Sequence, residues 1–331
     1  MSRDLNRLLD GLRRYLGCGE ALTVVAPLST GHSNETYRLE GINRILRMPP
    51  SKEGLLPPYD MAAQHAVLSA MAGYEQGPPV PRVFQLCTDA AVIGDPFFIM
   101  DDLPGEAFEY ATPAWLKAAP AALPDRMCAQ WIGAVTAVHQ MPVERMPAAP
   151  RSVVEEAQHW LDVAVSAEAP RALIAVLEDL VAHPPPLSGS ATPIHGDPKH
   201  GNCLWDQQGR LLALLDWEMA GVGEPLLDLG YIMQFYDQGD AALASAGYEL
   251  PGWWSKGRTI DAWQQATGRT VVALHRYEAI QVAKVAAIIA LGAHLFRTGR
   301  APDPRFAAWA TVIPGYVQLA ERCAADELAS Y

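Results

Sequence analysis

Between Ile194 and Tyr231 the chain reads IHGDPKHGNCLWDQQGRLLALLDWEMAGVGEPLLDLGY, and its polar residues stand at spacings that could do chemistry: Asp197, Asn202 five positions on, Asp216 and Asp228. A carboxylate on a loop can accept the proton of an attacking hydroxyl. An amide oxygen and a second carboxylate are the hard ligands magnesium prefers, and magnesium neutralises phosphate charge. Asp197 as base, with Asn202 and Asp216 as metal ligands, therefore suits phosphoryl transfer from ATP to a hydroxyl. Blander readings compete. An isolated His-Gly-Asp is ordinarily a turn with a capping Asp, and Asn202 beside Gly201 suits a left-handed turn. A His-x-Asp with distant acids could also serve a metal-dependent hydrolase, although a two-metal site needs more grouped ligands than this segment supplies.

The ordered elements His195-Gly196-Asp197, Asn202, Leu215-Asp216-Trp217-Glu218, and Gly223-Glu224-Pro225 with Asp228-Leu229 resemble the aminoglycoside phosphotransferase and choline kinase family. They are most similar to the subgroup that includes the kinase-like domain fused to some acyl-CoA dehydrogenases. Upstream, STGHSNETYRL and ILRMPP resemble that subgroup's opening motifs, and TGRTVVALHRYEAI resembles its downstream part, so the likeness runs from about residue 25 to 320. It implies an α+β, bilobal protein-kinase-like fold. A small antiparallel-sheet lobe, residues 1–104, would bind nucleotide, and a larger helical lobe, 105–331, would carry the catalytic and acceptor-binding groups.

The resemblance also implies roles for residues whose chemistry alone leaves them open. Asp228 would anchor the catalytic loop by accepting backbone hydrogen bonds, and His195 would orient that loop. Glu218 would contact substrate or a second metal, or simply start a solvated helix. Gly31, His32, Ser33 and Asn34 take the place of the nucleotide-covering loop, which lacks the P-loop pattern. Arg47 stands where the fold usually has a phosphate-binding Lys, and a guanidinium can grip phosphate with two N–H groups. The family often pairs this cation with a Glu; here the register offers Gln64, or else Asp60 or Glu75. Backbone of 99–102, including Met100 and Asp102, would face adenine at the hinge between the lobes. His139 is expected to be structural.

For the acceptor pocket the same likeness points to the Trp-rich loop and the following helix, with Trp254, Tyr277 and Lys284 as candidates. Trp253, Trp254, Trp263 and Phe296, with several Lys and Arg and few acids, favour an apolar or acyl-type alcohol, a hydroxyacyl-CoA being one example, over a polycationic antibiotic. An aminoglycoside kinase and a nucleotide-binding pseudokinase are the alternative readings.

These residues need a scaffold, and the sequence outlines one. Leu5–Leu16 has apolar residues at helical spacing. Val24 onward alternates through ETYRLE and NRILRM as antiparallel strands, Asp60 caps a helix running to Met71, and AVIGDPFFIM reads as a hairpin turning at Gly94-Asp95-Pro96. Helices are predicted over 125–140, 152–166 and 171–182, then a hairpin over 203–216, then mostly helix to about Leu319. The net charge of -12 over 331 residues argues against a nucleic-acid or anionic-membrane partner. Five scattered cysteines without a C-x-x-C pair argue against disulfides or a zinc-thiolate site. The charged N-terminus has no signal-peptide pattern. The most apolar stretch, Val285–Ala293, is shorter than the ~20 residues of a membrane span. A cytoplasmic enzyme, with a nucleotide and a small hydroxylated acceptor as partners, is the expectation.

Overall fold

The computed structural model describes residues 3–28, 33–52, 54–236, 246–301 and 303–326. The chain divides into two compact units: Met1–Ala72 with Pro81–Pro104, and Gly73–Val80 with Gly105–Tyr331. Residues 73–80 group with the second unit, which a single cut at residue 104 does not capture. Within that unit Leu214 N–H donates to the Pro79 carbonyl at 2.7 Å.

The first unit opens with α1 (Leu5–Leu16), capped by the Asp4 side chain and closed by Gly17 in the left-handed region. Then come β1 (Val24–Pro27), β2 (Glu35–Glu40), β3 (Arg44–Met48), α2 (Met61–Ala72), β4 (Val83–Cys87) and β5 (Phe97–Asp101). The strands form one antiparallel sheet in the order β1-β2-β3-β5-β4. Leu8 and Leu12 of α1 pack with Leu39, Leu46 and Phe97 of the sheet in a core excluded from solvent. Burying each such side chain favours folding by about 1.5–3 kcal/mol before chain entropy is counted. Asp60 does cap α2, accepting from Ala63 N–H at 2.9 Å.

The expected hairpin at 91–100 differs. Only its second half is a strand, and β5 pairs with β4 and β3. Residues 90–94 turn instead, with Gly94 N–H bonded to the Ala90 carbonyl. The cause is burial of Ile93 in the α1 core, where Gly11 lets the 92–93 backbone approach the helix closely.

The second unit contains α3 (Ala114–Lys117), α4 (Ala122–Gln140), α5 (Val153–Ser166) and α6 (Arg171–Ala182), then β6 (Thr192–Ile194), β7 (Cys203–Trp205), β8 (Leu211–Leu214) and β9 (Gly221–Gly223). It ends with α7 (Leu226–Met233), α8 (Lys256–Thr267), α9 (Leu274–Arg297), α10 (Pro304–Trp309) and α11 (Ile313–Ala324). β7 and β8 form the predicted hairpin. β6 pairs antiparallel with β9, a contact that joins positions distant in sequence and left no local pattern. The helix α9 corrects the nine-residue reading of its apolar stretch. It runs 24 residues and is long and apolar enough to cross a membrane by length and composition, yet 67% of its most apolar window is buried within the protein. It packs against α5, α6, α7, α10 and α11, so apolar residues are needed on most of its faces.

Candidate active site

The short strand β6 delivers the loop 195–202, whose backbone is fixed from several directions. Asp228, in the first turn of α7, accepts the backbone N–H groups of His195 (2.7 Å) and Gly196 (2.8 Å). It also meets His139 Nε2 at 3.0 Å. Trp263 donates to His139 Nδ1 at 3.1 Å, so the imidazole carries its proton on Nε2 and donates to Asp228. Burial alone would raise the Asp228 pKa, but the hydrogen bond from His139 and the backbone N–H of His195 hold it below the ordinary value.

His195 is fully buried. Its Nε2 donates to the Leu215 carbonyl at 2.9 Å and its Nδ1 accepts Asp197 N–H at 3.2 Å. Burial lowers its pKa, so it orients the loop as a neutral ring. Gly196 takes φ +83, and a Cβ there would lie 2.4 Å from the Met219 carbonyl oxygen; glycine is required.

Asn202 Nδ2 donates to the Asp197 carbonyl at 2.8 Å, and Leu215 N–H donates to the Asn202 carbonyl at 2.7 Å. Asp216 follows at φ 65, ψ 61, a left-handed conformation uncommon outside glycine. The tripeptide 215–217 is thereby tied to both ends of the loop. Glu218, half-buried, lies in the single helical turn after Asp216.

Two groups beside Asp197 went unread in the sequence. Lys199 Nζ is 2.8 Å from Glu109 and 3.8 Å from Asp197 Oδ2. Burial opposes its charge, but Asp197 and Glu109 keep its pKa well above the usual value. A cation two positions after the candidate base was a readable signal; Glu109, before α3, gave none. The Tyr231 phenol also faces the Asp197 carboxylate, and burial with this neighbouring charge raises its pKa well above normal. Asp197 Oδ1 is buried and has no hydrogen bond of normal geometry.

In the first unit, Arg47 Nε donates to Gln64 Oε1 at 3.1 Å, so Gln64 takes the position of the usual acid through a neutral hydrogen bond. Ser33 and Asn34 are buried just before β2; Gly31 and His32 lie outside the described residues. Met100 pairs with Ile45 on one side and Val83 on the other. Its expected adenine-facing backbone is therefore corrected to a mid-sheet position, leaving Asp102 onward outside the ladder. The Asp102 carboxylate is gripped by Arg38 at 2.7 and 3.2 Å.

The acceptor candidates also need correction. Tyr277 is fully buried and donates to the Pro186 carbonyl at 2.7 Å. Trp254 donates to Asp125 at 2.9 Å beneath the Arg258 guanidinium. Lys284 is buried and donates to the Gly196 carbonyl. All three are engaged in internal packing, as is the fully buried Trp263, whereas Phe296 is exposed.

The donors suit a hard cation. Asn202 must turn Nδ2 toward the Asp197 carbonyl, which leaves Oδ1 as the atom able to ligate, and Asp216 adds a carboxylate. Among the described residues no group of three or more His, Cys, Asp or Glu could hold a metal by itself. Magnesium is commonly bound through one or two protein ligands plus phosphates and water.

An antiparallel five-stranded unit followed by a mainly helical unit with this loop and hairpin defines an α+β, protein-kinase-like fold. The chain belongs to the phosphotransferase enzyme family, whose model matches residues 24–265. It is similar to acyl-CoA dehydrogenase family member 11 of Gallus gallus, 29% identical over 225 residues, covering 64% of this chain and 28% of that protein. The chain thus spans little more than a quarter of that curated relative. Among solved structures, a Ralstonia eutropha protein classed with the aminoglycoside phosphotransferases superposes with a TM-score of 0.76 at 19% identity, covering 96% and 98% of the two chains. The GDP complex of aminoglycoside 2'-phosphotransferase-IIIa gives 0.64 at 14% identity, covering 98% and 100%. At these identities the structures share the fold.

Proposed function

We propose that this protein is an ATP- and magnesium-dependent phosphotransferase that acts on a hydroxyl of a small molecule, of apolar or acyl type. The observation that carries the reading is the state of Asp197: its loop is held by Asp228, His195 and Asn202, while its buried Oδ1 has no hydrogen bond of normal geometry. Such an oxygen is poised to accept a proton. In this reading Asp197 takes the proton of the acceptor hydroxyl as its oxygen attacks phosphorus. Lys199 balances charge beside the carboxylate. Asn202 and Asp216 would hold magnesium, which when bound neutralises phosphate charge. Arg47, steadied by Gln64, is the phosphate-binding cation of the first unit. The GDP complex of a structural neighbour supports a nucleotide site by analogy of fold.

The acyl-type acceptor rests on the relationship to acyl-CoA dehydrogenase family member 11, since Trp254, Trp263 and Tyr277 are taken up by internal packing. Kanamycin, present with GDP in another structural neighbour, keeps the antibiotic-kinase reading as the alternative. Magnesium-dependent ADP release should be measured with hydroxyacyl thioesters, hydrophobic alcohols, choline-type amines and kanamycin-type aminoglycosides. The expected result is the highest kcat/KM for an acyl or apolar alcohol, abolished in Asp197→Ala. An aminoglycoside outranking them all would overturn the acceptor class. Tight nucleotide binding without release for any acceptor would mark a regulatory pseudokinase.

A further inference from the structure

Lys284 is a buried ammonium in the middle of α9, 2% exposed, donating to the carbonyl of Gly196. The ring of Tyr231 lies 5.0 Å from its Nζ and that of Trp160 5.6 Å. Burying a charge is expensive, and an apolar side chain would fill the same space at less cost. Burial indeed lowers its pKa, against the pull of Glu156, Asp197 and Asp228. The groups that face it are Glu156 and His159 of α5, Arg151 ahead of α5, Asp228 and Tyr231 of α7, and Asp197.

The bond it makes is specific. Gly196 is held in the left-handed region, with its N–H on Asp228 and its carbonyl on Lys284. Gly196 is therefore held by a buried anion through the peptide before it and by a buried cation through the peptide after it. The Gly196–Asp197 peptide, whose carbonyl Lys284 holds, sets the direction in which Asp197 leaves the backbone. We propose that Lys284 is a positioning residue for Asp197: it fixes the peptide that precedes the proton acceptor. The inference rests on the reading of Asp197 as the base.

The test uses the full chain and magnesium-ATP, with water as the acceptor, so no identified alcohol is needed. ADP release is measured for wild type, Asp197→Asn, Lys284→Met and Lys284→Arg, and the binding of a magnesium–ATP analogue is measured by calorimetry. Removing the donor frees the Gly196–Asp197 peptide and misplaces the base, so kcat in Lys284→Met should fall ~10-fold or more. KM for ATP and analogue affinity should stay within about twofold, because the loss falls on the chemical step rather than on nucleotide binding. Lys284→Arg, which keeps a donor for the Gly196 carbonyl, should return kcat toward wild type.

Wild-type kcat in Lys284→Met overturns the proposal, as does an Arg variant as slow as the Met variant. If Lys284→Met does not fold, Lys284→Leu removes the same donor, with the same expectations. Undiminished hydrolysis in Asp197→Asn would sink the reading of Asp197 itself. Hydrolysis lost there but kept in Lys284→Met would sink the role of Lys284 alone.

Discussion

The side-chain amide of Asn202 donates to the backbone carbonyl of Asp197 at 2.8 Å, so the residue offered as a metal ligand also holds the loop that carries the candidate base. The two duties can be separated. Asn202→Asp keeps a ligating oxygen but loses the N–H donor and sets an oxygen against the carbonyl; Asn202→Ala loses both. A lost buried hydrogen bond costs about 1–3 kcal/mol, so both variants should turn over ~10-fold or more slowly. Only the Ala variant should also need more magnesium. Kinetics with magnesium as the varied component check this, and equal magnesium dependence in the two variants would remove Asn202 from the metal site.

Arg47 is steadied by a neutral amide at 3.1 Å, where an acid would form an ion pair. Arg47→Ala should raise KM for ATP about tenfold, in line with loss of one charge-assisted hydrogen bond, and leave the acceptor KM nearly unchanged. Gln64→Glu should preserve the Arg47 contact and change KM for ATP by less than Arg47→Ala does. Initial rates with each substrate varied in turn give the comparison. A larger rise in acceptor KM would place Arg47 outside the nucleotide site.

His200 is enclosed by Phe108, Trp131, Tyr248 and Trp253, with ring centroids 5.4, 5.9, 5.2 and 5.2 Å away. Its ring nitrogens make no hydrogen bond of normal geometry, and burial pushes its pKa from 6.5 down to about 3; the weak pull of the Ala246 backbone the other way is outweighed. The unfolded chain therefore binds a proton at His200 that the folded chain refuses between these values. Stability should fall as pH drops below 6.5, by ~1.4 kcal/mol per pH unit from this residue. His200→Phe suits the aromatic surroundings and should flatten that part of the acid dependence. Urea melts of both proteins from pH 7 to 4 decide it, and parallel curves would refute the assignment.

Tyr277 donates to the Pro186 carbonyl from a fully buried position. Tyr277→Phe should lower stability by about 1 kcal/mol and leave kcat and both KM values unchanged. A selective rise in acceptor KM would restore Tyr277 to the acceptor site.

The sequence by itself determined the parts whose causes are local. Helix α1 was readable from its apolar spacing, and the β7–β8 hairpin from strand-type runs on either side of a Gln-Gln-Gly turn. The spacing of Asp197, Asn202 and Asp216 was legible because one loop and the hairpin after it carry all three. Contacts between distant segments were decided only by the tertiary structure. The pairing of β6 with β9, the Glu109–Lys199 bridge and the bond from Lys284 to Gly196 join residues with no periodic relation along the chain. Tyr277, Trp254 and Lys284 show the same limit from the other side. Aromatic and cationic residues at helical spacing look alike whether they line a pocket or fill a core, and only packing fixes which face of the helix is turned inward.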